Sequence, residues 1–134
     1  MPVTAQIRVT YGDTDAMGQA YYGNYLKWFE IGHAEWFRAS GMSYREVERR
    51  GLYLPVVEAH CSYKKPAFYD DLLTIATTFK FCGPARLRFD YELMRQEEIL
   101  AVGYTVHACV SRDRKVMKPP EYLRTVLEAG QENV

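Results

Sequence analysis

The sequence has no surplus of either charge: seventeen Lys and Arg balance seventeen Asp and Glu. A general nucleic-acid binder or a protein held on an anionic membrane surface needs a basic excess, so any charge-based recognition here is local. Cysteine is scarce. Cys61, Cys82 and Cys109 are odd in number and form no CxxC pair, which excludes a disulfide framework and a structural zinc site and leaves three buried free thiols as the expectation. No run approaches the ~20 apolar residues of a membrane helix, and MPVTAQIRVTYGDTD at the start has no apolar core of signal-peptide length. A cytoplasmic protein without membrane insertion is expected. Repeats, linkers and low-complexity tracts are also missing, so residues 1–134 read as one domain.

Aromatic residues are abundant, with eleven Tyr and six Phe. They imply wide apolar faces to bury or to share, and a homo-oligomer is expected. Residues 5–11 place Ile7, Val9 and Tyr11 on one side and Arg8 and Thr10 on the other, the period-2 pattern of a strand. GDTDAMG is a loop. Tyr22, Tyr25, Leu26, Phe29, His33, Trp36 and Phe37 then recur at spacings of three and four, the stripe of one long amphipathic helix that stops at Gly41. SYREVERR forms a short second helix ending near Gly51.

Four strands follow, at 54–65, 72–81, 86–95 and 100–111. In the third, Leu87, Phe89, Tyr91 and Leu93 alternate with Arg86, Arg88, Asp90 and Glu92, as in an antiparallel sheet with one packed and one wet face. Short turns predict that successive strands pair as hairpins. Residues 119–129 form a C-terminal helix, and 130–134 a frayed tail. One long helix on one curved five-stranded antiparallel sheet is an α+β domain.

The stretch Tyr11-Gly12-Asp13-Thr14-Asp15, continued by Gly18, Tyr21-Tyr22, Asn24-Tyr25 and Trp28-Phe29-Glu30, resembles the hot-dog thioesterases of the 4-hydroxybenzoyl-CoA thioesterase family. Pro66-Ala67-Phe68-Tyr69-Asp70-Asp71-Leu72 resembles the same family's turn between strands. The resemblance implies a sheet wrapped around one helix and hydrolysis of acyl-CoA esters. It also implies no metal or redox cofactor, with CoA entering only as part of the substrate. Dimers or tetramers with sites at subunit boundaries are implied as well. It makes Asp15 the catalytic carboxylate and the backbone N–H of Tyr22 the group that polarises the thioester carbonyl, with Gly18 and Asn24 shaping the turn.

The chemistry is consistent. A thiol has an ordinary pKa of ~8.5, so expelling CoA thiolate needs little acid assistance, and one carboxylate suffices as nucleophile or as general base. Free N–H groups at a helix start meet the developing oxyanion. Asp13 reads as a turn residue. Glu30, on the helix, is a candidate wall of the acyl pocket; Arg86, Arg88, Lys115 and Lys118 are candidates for the CoA phosphates. His33 reads as a packing or hydrogen-bonded residue, and His60 and His107 carry no triad arrangement. The alternatives are an acyl-carrier-protein thioesterase and a non-catalytic acyl-thioester-binding module.

Overall fold

The computed structural model describes residues 2–131. Its elements are β1 (Val3–Arg8), a 3-10 turn (Tyr11–Asp13), α1 (Asn24–Ala39), α2 (Tyr44–Arg49), β2 (Leu52–Tyr53) and β3 (Val56–Tyr63). There follow β4 (Leu72–Phe81), β5 (Arg86–Arg95), β6 (Glu98–Ala108), β7 (Val110–Ser111) and α3 (Glu121–Gly130). Five strands form one antiparallel sheet in the order β1-β4-β5-β6-β3, and α1 packs against β1, β3, β4 and β5. This is the hot-dog architecture.

The clean alternation of β5 is realised: Leu87, Phe89, Tyr91 and Leu93 are buried against the helix. Phe29 of α1 lies flat on Tyr91, with ring centroids 4.6 Å apart, and Trp36 and Phe37 meet Phe79 and Phe89. Burial of such rings contributes ~1.5–3 kcal/mol each before the cost of ordering them. The helix approaches β4 most closely at Gly32, where a Cβ would stand 2.5 Å from Thr77 Oγ1 and 2.6 Å from Ile75 Cγ2; only glycine fits this crossing.

Several expectations change. The helix begins at Asn24, and its buried face is Tyr25, Trp28, Phe29, Gly32, His33, Trp36 and Phe37, whereas Tyr22 and Leu26 are exposed. Hydrogen bonds from Ala20 to Ala67 and from Tyr21 to Asp13 hold the incoming chain, so Tyr22 precedes the helix instead of continuing its stripe. The first strand ends at Arg8, and Tyr11 is exposed in the 3-10 turn. The stretch expected at 54–65 shortens to β3, with β2 lying before it and separated from it by Leu54 and Pro55, since proline supplies no N–H to a ladder, and 100–111 divides at Cys109.

The hairpin expectation holds for β4–β5 and β5–β6 but fails for β3–β4. Pairing of β1 with β4 occupies the edge that such a hairpin needs. Residues 64–71 therefore carry the chain from one side of the sheet to the other, and β3 returns beside β6. The thiols are not uniformly buried: Cys109 is, Cys61 is half-buried and Cys82 is exposed, because Cys82 lies outside the ladder in the β4–β5 turn. Gln131, expected to fray, accepts the Phe81 N–H at 3.0 Å through its side chain; residues 132–134 lie outside the described residues.

Candidate active site

Between β1 and α1 the chain makes a small closed loop. Thr14 bridges to Ala20, the Asp15 N–H donates to the Gln19 carbonyl at 2.8 Å, and the Gly18 N–H donates to the Asp15 carbonyl at 3.0 Å. Gly18 sits at φ +82°, a left-handed conformation natural to glycine. One Asp15 carboxylate oxygen accepts the Met17 N–H at 2.9 Å. The other has no hydrogen-bond partner among the described residues, which leaves a half-buried carboxylate with one oxygen available.

Asp13 is a turn residue. Its side chain accepts the Thr10 N–H at 2.9 Å, and its carbonyl receives the Tyr21 N–H and the Asn24 amide, both at 2.8 Å. Asn24 thereby ties the helix start to the loop, and Gly23 caps α1 without a side-chain bond. The Asn24 and Tyr25 N–H groups turn back to the carbonyls of Tyr21 and Tyr22. The N–H groups of Tyr22 and Gly23 make no hydrogen bond among the described residues, so they are the orphan donors of this helix start.

The second motif packs on the first. Gln19 bridges to Phe68, and Ala67 receives the Ala20 N–H at 2.8 Å. Asp71 accepts the Phe68 N–H at 2.9 Å and pairs with Arg95 at 2.7 Å, fixing the turn that supports the loop. Asp70, at φ +70°, returns a hydrogen bond to Val9. A cleft of about 320 Å³ opens beside this junction, lined by Gln19, Tyr22, Tyr25, Tyr63, Lys64 and Lys65 among others. The Tyr63 hydroxyl donates to the Tyr22 carbonyl at 3.0 Å. Partial burial first, and the neighbouring Cys61 thiol next, push that hydroxyl up to about 12, so it stays a donor at neutral pH.

Farther along α1, Leu26, Glu30 and His33 form one wall of a cavity of about 370 Å³ whose opposite side includes Val56, Tyr91, Thr105 and His107. Glu30 thus sits in a cavity wall, exposed at its rim. His107 Nδ1 lies 2.9 Å from the Leu54 carbonyl, which only accepts, so Nδ1 carries the proton. Nε2 then accepts from the Thr105 hydroxyl at 2.9 Å, and Thr105 accepts from Tyr91 at 2.7 Å. His33 stacks on His107 with centroids 4.6 Å apart, and its buried Nε2 has no partner among the described residues. Burial, and secondarily His107, push His33 down to about 3; burial also lowers His107. Both imidazoles are neutral.

Arg86, Arg88, Lys115 and Lys118 do not join Asp15 within one chain. The loop lies at the Leu72 and Arg95 end of the sheet, whereas Arg86 pairs with Ala108 at the other end, ~30 Å away along a ten-residue strand. Arg88 is engaged by Asp90 at 3.0 Å and stacks over Tyr104 at 3.9 Å. Lys115, bonded through its carbonyl to Ser111, is at the same far end, just beyond β7. His33 packs as the sequence implied, but its stacking on His107, and the places of Tyr63 and Thr105, escaped the sequence reading, since each gains its neighbours through elements distant in the chain; Gly23 was missed as the local cap of α1.

Residues 9–127 match the family model described as thioesterase-like superfamily. The chain is 32% identical to an acyl-CoA thioesterase of Haemophilus influenzae, over 92% of this chain and 90% of that protein. It is 29% identical to a 1,4-dihydroxy-2-naphthoyl-CoA hydrolase of Synechococcus elongatus, over 90% of each. Its structure superimposes on a DHNA-CoA thioesterase from Staphylococcus aureus with a TM-score of 0.88 at 29% identity, covering 96% of this chain and 87% of that one.

Proposed function

The chain belongs to the thioesterase-like superfamily and is a thioester hydrolase, and from that premise we propose that it cleaves acyl-CoA thioesters with Asp15 and the first N–H groups of α1. The observation that supports this reading is the presence, on either side of one short turn, of a carboxylate oxygen and a backbone N–H that have no hydrogen-bond partner among the described residues. The thioester carbonyl oxygen accepts the Tyr22 N–H while Asp15 attacks the carbonyl carbon or deprotonates a water that does. In the first case the C–S bond breaks to give a mixed anhydride and CoA thiolate, and water then hydrolyses the anhydride. In the second, the tetrahedral oxyanion collapses directly with loss of the thiolate, and the proton taken by Asp15 passes to a product. The readily expelled thiolate calls for no Lewis acid or redox partner, so the proposed reaction needs only the Asp15 carboxylate, water and the backbone N–H groups. The cavity beside Glu30 and His33 receives the acyl group.

The reading includes a second copy of the chain. β3 is an edge strand with Val56 and Val57 exposed, an edge suited to pairing with another strand. Val56 lies at the Arg86 end and Tyr63 at the Asp15 end. Antiparallel β3–β3 pairing therefore sets the cationic end of one copy beside the Asp15 loop of the other, where Arg86, Lys115 and Lys118 can meet CoA phosphates. Light scattering that finds only monomer refutes this arrangement.

The test of the activity is thiol release from short, medium, long and aromatic acyl-CoAs by wild type and Asp15→Asn. Hydrolysis of at least one ester by wild type, lost in the variant, is expected. Activity that survives the substitution moves the site elsewhere.

A further inference from the structure

The hydrogen bonds around the helix start distinguish two peptide units. The Tyr21–Tyr22 peptide has its carbonyl occupied by the Asn24 N–H at 3.0 Å, and its own N–H, that of Tyr22, has no partner among the described residues. The Tyr22–Gly23 peptide has its carbonyl occupied twice, by the Tyr25 N–H at 3.2 Å and by the Tyr63 hydroxyl at 3.0 Å. Its N–H, that of Gly23, likewise has no partner among the described residues, and the glycine carries no side chain of its own that could shield it. A donor at the carbonyl end of an amide polarises the whole unit and strengthens the N–H at the other end. Of the two units, only the second is held by a side chain from another strand.

Tyr63 is itself fixed. Its ring stands edge-on to Tyr25 at 4.9 Å and to Tyr22 at 6.2 Å, in the wall of the cleft beside the loop. Resting on the thioesterase reading above, we propose that Tyr63 is a positioning residue which, through the Tyr22–Gly23 peptide, makes the Gly23 N–H a second donor to the thioester oxyanion beside that of Tyr22. Tyr63 touches no reacting atom; it orients and polarises one that does. Its effect therefore belongs chiefly to the transition state, in which the oxygen is most negative, and alters the bound ground-state carbonyl too little to move KM.

Tyr63→Phe keeps the ring and removes the donor. Taking the polarisation as a modest fraction of what one oxyanion donor is worth, kcat falls about 2- to 8-fold with KM unchanged. Replacement of Tyr63 by 3-fluorotyrosine, a stronger donor of the same shape, restores kcat to the wild-type value or above. A second readout uses the Asp15→Asn protein holding a carbonyl-labelled thioester. There, Tyr63→Phe shifts the bound C=O infrared band toward higher wavenumber, which a purely structural tyrosine does not do. An unchanged kcat together with an unmoved band overturns the inference while wild-type hydrolysis leaves the proposed function standing. A wild type that cleaves no acyl-CoA refutes the proposed function itself.

Discussion

Acid should unfold this protein earlier than its carboxylates alone require, because of the stacked imidazoles between α1 and β6. His33 is 6% exposed and surrounded by Phe37, Tyr44, Phe89 and His107. Glu30 is the carboxylate of the same cavity wall. Burial holds His33 at about 3 against an ordinary 6.5. A depressed folded-state value means that below 6.5 the unfolded chain takes up a proton which the folded chain refuses. The stability is complete above 6.5 and is lost as pH falls toward 3, at ~1.4 kcal/mol per unit. At pH 4.5 the loss from His33 alone is ~2.7 kcal/mol, a large part of the ~5–15 kcal/mol that holds a typical domain together. His107 is lowered as well and acts in the same direction. Glu46 and Glu98, whose carboxyls are held down by Arg49 and Lys65 respectively, lose their contributions only below their ordinary 4.5, so the interval from 6.5 to 4.5 isolates the histidines. Urea midpoints measured in half-unit steps across that interval should fall steadily, and the thermal midpoint should drop by about 10 °C. His33→Phe, which suits the aromatic surroundings, should make the slope shallower. A flat urea midpoint from pH 7 to 4.5, or an NMR titration of the His33 ring near 6.5, refutes the reasoning.

Two further outcomes follow from the site and the core. Gly18→Ala places a Cβ on a residue at φ +82° with no neighbour within 4 Å, so the cost is backbone strain alone, ~1 kcal/mol; it should appear chiefly as lower kcat/KM in the thiol-release assay, because the strained turn carries Asp15. Thr77 is fully buried and its hydroxyl has no partner among the described residues. Thr77→Val substitutes a methyl of the same shape for that orphan and should leave the urea midpoint unchanged or raise it by up to ~1 kcal/mol in stability; a loss above ~1 kcal/mol contradicts the assignment.

Local chemistry along the chain determined much of this molecule. The alternation in 86–95, the helical spacing through Phe29, Trp36 and Phe37, and Gly41 after the helix are properties of adjacent residues, and each reappears in the fold. The loop around Asp15 was legible from its Gly, Asp and Thr content, whereas the turn around Asp71 and the role of Asp15 came from the resemblance to a known family. Tertiary structure alone decided that β1 takes the edge of β4 and sends β3 to β6, because strand partners compete for the same unpaired N–H and C=O groups and no local pattern records the winner. It also rotated Tyr22 out of the helix stripe, set Tyr63 on the Tyr22 carbonyl, stacked His33 on His107, and placed Arg86 and Lys115 at the opposite end of the sheet from Asp15. Those contacts join residues tens of positions apart, where spacing carries no information and only packing does.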